Sequence, residues 1–118
     1  MSNEGTIGSI TGDFVGNYAQ STDNYAYGGA IRNSGTMGNI TSDFVGNYVK
    51  STDSSACGGA IYNSGAMGNI TGDFIGNYAN GKIVSAGAIY NNGTIENITG
   101  DFIGNWASST DSQPLGGT

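Results

Sequence analysis

Asp13, Asp43, Asp73 and Asp101 recur at a regular interval, each directly before a Phe. If such residues stack in successive turns of the chain, their carboxylates lie about 4.8 Å apart and repel one another. Bound Ca²⁺ relieves that repulsion, because it takes oxygen ligands. Paired carboxylates also serve polysaccharide hydrolysis. Neither chemistry is favoured here. No dense Gly-Asp calcium repeat accompanies the column. A hydrolase site breaks repeat symmetry and adds basic residues for an acidic substrate, whereas Arg32, Lys50 and Lys82 are scattered and the Asp column is regular. The expectation is that each Asp caps a solvated turn, with no enzyme activity, no metal and no cofactor.

Other recurring groups are weighed in the same way. Asn39-Ile40-Thr41, Asn69-Ile70-Thr71 and Asn97-Ile98-Thr99 match the N-glycosylation acceptor pattern. Repetition triples any chance match, and an Asn at a packed corner is inaccessible. Thr11, Thr41, Thr71 and Thr99 form one column, and Thr6, Thr36 and Thr94 another that Ala66 interrupts. A flat Thr face can order ice, but closely spaced Thr-x-Thr pairs are absent. Cys57 aligns with Tyr27 and Ser85. A column that accepts all three types reads as an exposed loop, with an incidental thiol or, at most, a disulfide-linked dimer.

Composition narrows the function classes further. The 118 residues include 22 Gly, and Gly, Asn, Ser and Thr supply about half the chain. Gly is costly within helices and the good helix formers are scarce, so a helical bundle is excluded. Ile, Tyr, Phe and Thr suit a pleated sheet. The net charge of -6, with only 3 Lys plus Arg, argues against nucleic acid. One Cys and no His leave neither a disulfide scaffold nor a His- or Cys-based zinc site. No apolar run reaches the roughly 20 residues of a membrane span, so the segment is not expected to insert into a membrane. No signal segment is legible at Met1-Ser2-Asn3-Glu4.

The Gly residues are periodic, and this decides between disorder and order. Residues 5–34 realign without a gap on 35–64, followed by copies at 65–92 and 93–118, one array of about 28 to 30 residues per unit. Apolar residues hold fixed columns. These are Ile7, Met37, Met67, Ile95; Ile10, Ile40, Ile70, Ile98; Phe14, Phe44, Phe74, Phe102; Val15, Val45, Ile75, Ile103; Tyr18, Tyr48, Tyr78, Trp106; and Ile31, Ile61, Ile89. Substitutions within a column keep volume and apolarity, as stacked core layers demand. Ile10 to Phe14 alternates with period two, a strand signal. Gly29, Ile31 and Asn33 share one parity. Position 32 accepts Arg or Tyr and faces solvent, so Ile31 points inward. Gly-Ser and Gly-Asn steps mark corners.

Two or three short strands per unit, no helix and one row of large side chains per strand predict an all-β fold, a parallel β-solenoid of about four coils. Four coils at about 4.8 Å each make a stack roughly 19 Å tall. All the length variation falls between Tyr18 and Gly29 and the equivalent segments, which are predicted to be loops on one face and the place for specific binding.

Two tetrapeptides alternate along the array. One is FxxN, at Phe14 to Asn17, Phe44 to Asn47, Phe74 to Asn77 and Phe102 to Asn105. The other is GGAI, ending at Ile31 and Ile61, relaxed to Ala86-Gly87-Ala88-Ile89 in the third copy. This pattern resembles the repeats of chlamydial polymorphic outer membrane proteins and of other bacterial autotransporter passengers. The resemblance implies a right-handed β-helix, display outside the cell or on a bacterial surface, adhesion to a host-surface ligand and no catalysis. Read from the residues alone, Phe14, Phe44, Phe74 and Phe102 fill the core with Ile31, Ile61 and Ile89. Asn17, Asn47, Asn77 and Asn105 sit at corners and hydrogen-bond to their own and the next coil as a ladder.

The leading expectation is a non-catalytic, surface-displayed repeat segment with a structural or adhesive role. The main alternative is a module that stacks end to end into extracellular filaments, since open solenoid ends are unpaired edges. A polysaccharide-active or ice-binding β-helix is a minor alternative. Little charge guards the ends beyond Glu4 and Asp111, and Pro114 is expected to stop the last coil.

Overall fold

The computed structural model describes residues 1–110; Asp111 and Pro114 lie outside the described residues. The described chain is a β-solenoid. Its strands fall into four parallel sheets, and each coil contributes to all four in turn. The first sheet stacks Ser2–Asn3, Ile31–Asn33, Ile61–Asn63 and Ile89–Asn91. The second stacks Thr6–Ile7 and Ile10–Thr11 on Thr36–Met37 and Ile40–Thr41, then on Ala66–Thr71 and Thr94–Thr99. The third stacks Phe14–Val15, Phe44–Val45, Phe74–Ile75 and Phe102–Ile103. The fourth stacks Tyr18–Ser21 and Ala26–Tyr27 on Tyr48–Cys57, Tyr78–Ser85 and Trp106–Ser109. Each residue pairs with its own column: Phe44 lies between Phe14 and Phe74, and Ile61 between Ile31 and Ile89. The first strand, Ser2–Asn3, pairs with Arg32 and Asn33, so the structural repeat starts ahead of residue 5.

The corner after the third sheet sets which residues face inward. Gly16, Gly46, Gly76 and Gly104 have φ of 62° to 65°, a left-handed conformation that only Gly adopts without strain. That step turns the chain so that Phe14 and Asn17 both point in while Val15 and Tyr18 both point out. Two of the six apolar columns are therefore external, contrary to expectation: Val15 is 65% exposed and Tyr18 60%. Conserved volume in those columns reflects side chains stacking on their own copies outside the stack, not burial.

The interior is divided in two. The main core holds Ala30, Ile31, Met37, Ile40 and Phe44 with their equivalents in the next coil. A smaller core of Ala26, Val49, Ala56, Ala79 and Val84 lies behind the fourth sheet. The walls meet between them at the second Gly of the GGAI motif. A Cβ on Gly59 would sit 2.6 Å from the Tyr78 carbonyl oxygen, which leaves room for hydrogen only. The first position of the motif has φ of 59° at Gly28 and 69° at Gly58. Ala86 adopts φ 61° in the third copy, where it carries the strain of a Cβ.

The variable segment is mostly strand rather than loop. Tyr48–Cys57 runs as one strand of 10 residues against the 8 of Tyr78–Ser85. The register shifts between Ser51 and Ser55, and this irregularity absorbs the two-residue difference in coil length. Small inward residues, Val49, Ser51 and Ala56, let the narrow second core close, and the segment gave no large apolar signal for that reason. Among the described residues, the first coil interrupts this strand, between Tyr18–Ser21 and Ala26–Tyr27. There the Asn24 amide donates to Ser21 Oγ at 3.0 Å, and Ser51 Oγ donates to the Asn24 carbonyl at 2.7 Å.

Candidate functional site

The Phe and Asn side chains of the FxxN motif are stacked through all four coils. Phe14, Phe44, Phe74 and Phe102 have centroid separations of 5.0, 4.7 and 4.8 Å and lie within 4° of parallel. Asn47 is fully buried. Its backbone N–H and its Nδ2 both donate to Asn77 Oδ1 at 3.0 Å, and Nδ2 also donates to the Phe14 carbonyl at 2.8 Å. Asn77 repeats this pattern toward Asn105 and Phe44. Ile31 and Ile61 are buried and Ile89 is half-buried at the end of the stack.

A second buried amide ladder lies in the first sheet. Asn3 Nδ2 donates to Asn33 Oδ1 at 2.9 Å, Asn33 to Asn63 at 2.8 Å and Asn63 to Asn91 at 2.8 Å. Each Nδ2 also reaches backbone carbonyls of its own and the next coil, as Asn33 does at Gly35 and Ala66. The sequence puts Asn33 on the same parity as Ile31, and an Asn recurs two residues after each Ile of that column, but parity alone assigns it no partner.

The Asp column is a ladder too, rather than a set of separate turn caps. Asp13 Oδ1 accepts the Asp43 N–H at 3.0 Å, Asp43 accepts that of Asp73 at 2.8 Å, and Asp73 accepts that of Asp101 at 2.8 Å. One oxygen of each of these carboxylates is thus spent on the following coil. Among the described residues no group of three or more His, Cys, Asp or Glu is placed to hold a metal ion. The glycosylation-pattern Asn column lies on the outer surface, not at a packed corner. Asn39 Oδ1 accepts the Asn69 N–H at 2.9 Å, and Asn97 Nδ2 donates to Asn69 Oδ1 at 3.0 Å. The Thr columns also face outward, at the two ends of each second-sheet segment, with Ile7 and Ile10 or their equivalents turned inward between them.

Two outer features are aromatic. Tyr18, Tyr48, Tyr78 and Trp106 form a stack with separations of 5.1, 4.8 and 4.4 Å. Each ring covers its neighbour, so this ridge presents ring edges sideways and open ring faces only at Tyr18 and Trp106. Burial, then the neighbouring Tyr48, raise the Tyr78 phenol above its ordinary range. The other feature breaks the repeat symmetry. Tyr27 stacks across columns on Tyr62 at 4.4 Å, Tyr62 on Tyr90 at 5.2 Å and Tyr25 on Tyr27 at 5.6 Å. The Arg32 guanidinium lies 5.2 Å from the Tyr27 ring centre. Tyr25 is 62% exposed. Burial raises the Tyr27 and Tyr62 phenols, with neighbouring Cys57 and tyrosines adding to it and Arg32 opposing it.

Cys57 sits behind this ledge. It ends the long strand of the fourth sheet and is half-buried, not in an exposed loop. Burial pushes its thiol upward, against hydrogen bonding to Ser85, so little thiolate forms at neutral pH. The recurring Asn and Asp side chains therefore tie coils together, whereas the Thr columns face outward. The cluster of Tyr25, Tyr27, Arg32, Tyr62 and Tyr90 joins aromatic area to a guanidinium on the outer surface. No known protein family, curated protein or solved structure matches this chain.

Proposed function

We propose that this chain is a non-catalytic scaffold segment, displayed at a bacterial cell surface, that contributes an adhesive face. The observation that carries this reading is the contrast between ladders and ledge. Asn and Asp columns are committed to coil-to-coil hydrogen bonds, while the one cluster that crosses columns is outward, aromatic and cationic. Repeat proteins place binding where symmetry is broken, on a face held rigid by the array. Tyr and Arg supply contact area and charge at low entropic cost, and they dominate energetic hot spots. The resemblance of the GGAI and FxxN repeats to autotransporter passengers supports the surface location and the host-surface ligand.

The test is attachment of chain-coated beads to host-cell monolayers. Replacing Tyr25 and Arg32 with Ala is expected to lower attachment at least about tenfold, with the far-ultraviolet circular dichroism unchanged. Equal attachment by the folded variant and the original chain sinks the adhesive assignment.

A further inference from the structure

The two ends of the solenoid are complementary halves of the contact that already repeats inside it. We infer that a second copy of the chain docks head to tail, its first coil continuing the stack beyond the fourth. This goes beyond the scaffold assignment and does not depend on it.

The strand order of the third sheet ends in Phe14–Val15 on one side and Phe102–Ile103 on the other. Phe44 and Phe74, between them, are fully buried, whereas Phe102 is 37% exposed and Ile98 41%. A hollow of about 550 Å³ opens at this end, lined by Ile89, Ile95, Ile98 and Phe102 together with Asn91, Glu96 and Asn97. Exposed apolar side chains at a strand edge invite another strand.

The hydrogen-bonding groups identify the occupant. In the interior, the N–H and Nδ2 of Asn47 both donate to Asn77 Oδ1, and Asn77 Nδ2 donates to the Phe44 carbonyl. Asn105, at the last coil, presents the donors of this set, and the Phe102 carbonyl presents the acceptor. Asn17, exposed at the first coil, presents the matching Oδ1 and Nδ2. The Asp column fits in the opposite sense. Each interior Asp Oδ1 accepts the N–H of the following Asp, so Asp101 offers the acceptor and Asp13 the N–H. Two first-coil ends would set Asn17 Oδ1 acceptors against each other and Asp13 N–H donors against each other. Two last-coil ends would do the reverse, so only head-to-tail contact satisfies both columns.

Packing agrees under the same alignment. Ile98 meets Ile10, Phe102 meets Phe14, and Trp106 meets Tyr18, the pairings seen between adjacent coils. The open faces of Trp106 and Tyr18 are then covered, and two ring stacks run on unbroken. The contact is heterologous and does not close on itself, so it generates a filament. Each copy advances it by about 19 Å, four coils of about 4.8 Å. Asp13 and Asp101 bring like charge to the junction, so added salt should favour association.

The test is sedimentation velocity of the intact chain over a wide concentration range and at two salt concentrations, with electron microscopy of the concentrated sample. Unbranched rods are expected, lengthening with concentration and salt and giving a diffraction spacing near 4.8 Å along the rod. Ile98→Arg places an unpaired charge at the junction and should weaken association at least about 100-fold. Its circular dichroism should remain that of the original chain. Ile75→Lys, in the same outer column as Val15 but on the third coil and away from both ends, should associate as before. A chain that stays monomeric throughout overturns the inference. So does loss of association in the folded Ile75→Lys variant with Ile98→Arg unaffected, which would mean lateral contact.

Discussion

The second and third coils and the first and fourth coils have nearly the same sequence and very different physical circumstances. Phe44, Phe74, Asn47 and Asn77 are all fully buried, while Phe102 is 37% exposed and Asn17, in the first coil, is exposed as well. The residue types are constant, so the difference comes from neighbours alone. An inner coil has two partners for every ring, amide and backbone strand, and an end coil has one. Burial in this fold is a property of position in the stack, and stability should follow position rather than residue type.

The sharpest way to break that comparison is to remove the same ring at two heights. In dilute solution, Phe74→Ala should cost about 3–5 kcal/mol of unfolding free energy and Phe102→Ala about 1–2 kcal/mol. Urea denaturation measures both. Equal losses would mean that the end coil is held as firmly as the middle. The amide ladder gives the next largest contrast. Asn77→Ala removes the acceptor for the Asn47 N–H and the donor to the Phe44 carbonyl, both buried. It should cost about 3 kcal/mol, against about 1 kcal/mol for Asn105→Ala, because the Asn77 N–H and Phe74 carbonyl freed by the latter are part-buried under the end coil, where water can replace the lost side chain. The smallest effect has the opposite sign. Ser42 is buried at 3% exposure and its Oγ has no hydrogen-bond partner. The equivalent positions in the outer coils are Gly12 and Gly100, both exposed. Ser42→Ala should therefore stabilise the chain by about 1 kcal/mol, read as a melting temperature higher by about 4 °C. No gain would show that the hydroxyl is satisfied in solution.

The solenoid was legible in the sequence because its core residues are large and strictly periodic. Phe14, Ile31, Asn17 and their copies could be placed in columns, and each column in the stack. Three features were not legible, each for a physical reason. Val15 and Tyr18 keep their apolar character in every copy, yet the left-handed Gly between them turns both outward. The second core is built of Ala, Val, Ser and Gly, which carry little hydrophobic signal, so its strand read as a loop. The ledge of Tyr25, Tyr27, Tyr62 and Tyr90 joins different columns, and alignment of copies shows only what lies within a column. The parity of Asn33 is legible beside Ile31, but its ladder is not, because the pattern gives the facing of a side chain and not its hydrogen-bond partner.

The ladders also carry an electrical consequence. In both buried Asn columns the earlier coil donates to the later one, as Asn33 does to Asn63 and Asn47 to Asn77. In the Asp column and the outer Asn column the later coil donates to the earlier, as Asp73 does to Asp43 and Asn69 to Asn39. Each Asn column is a row of aligned amide dipoles that polarise one another along its length, and the Asp column adds a row of like charges. The two buried Asn rows point one way along the axis and the outer Asn row the other. In an α-helix all the peptide dipoles add toward one end; here the amide rows are mixed in direction, so the outer row offsets part of the field of the buried ones.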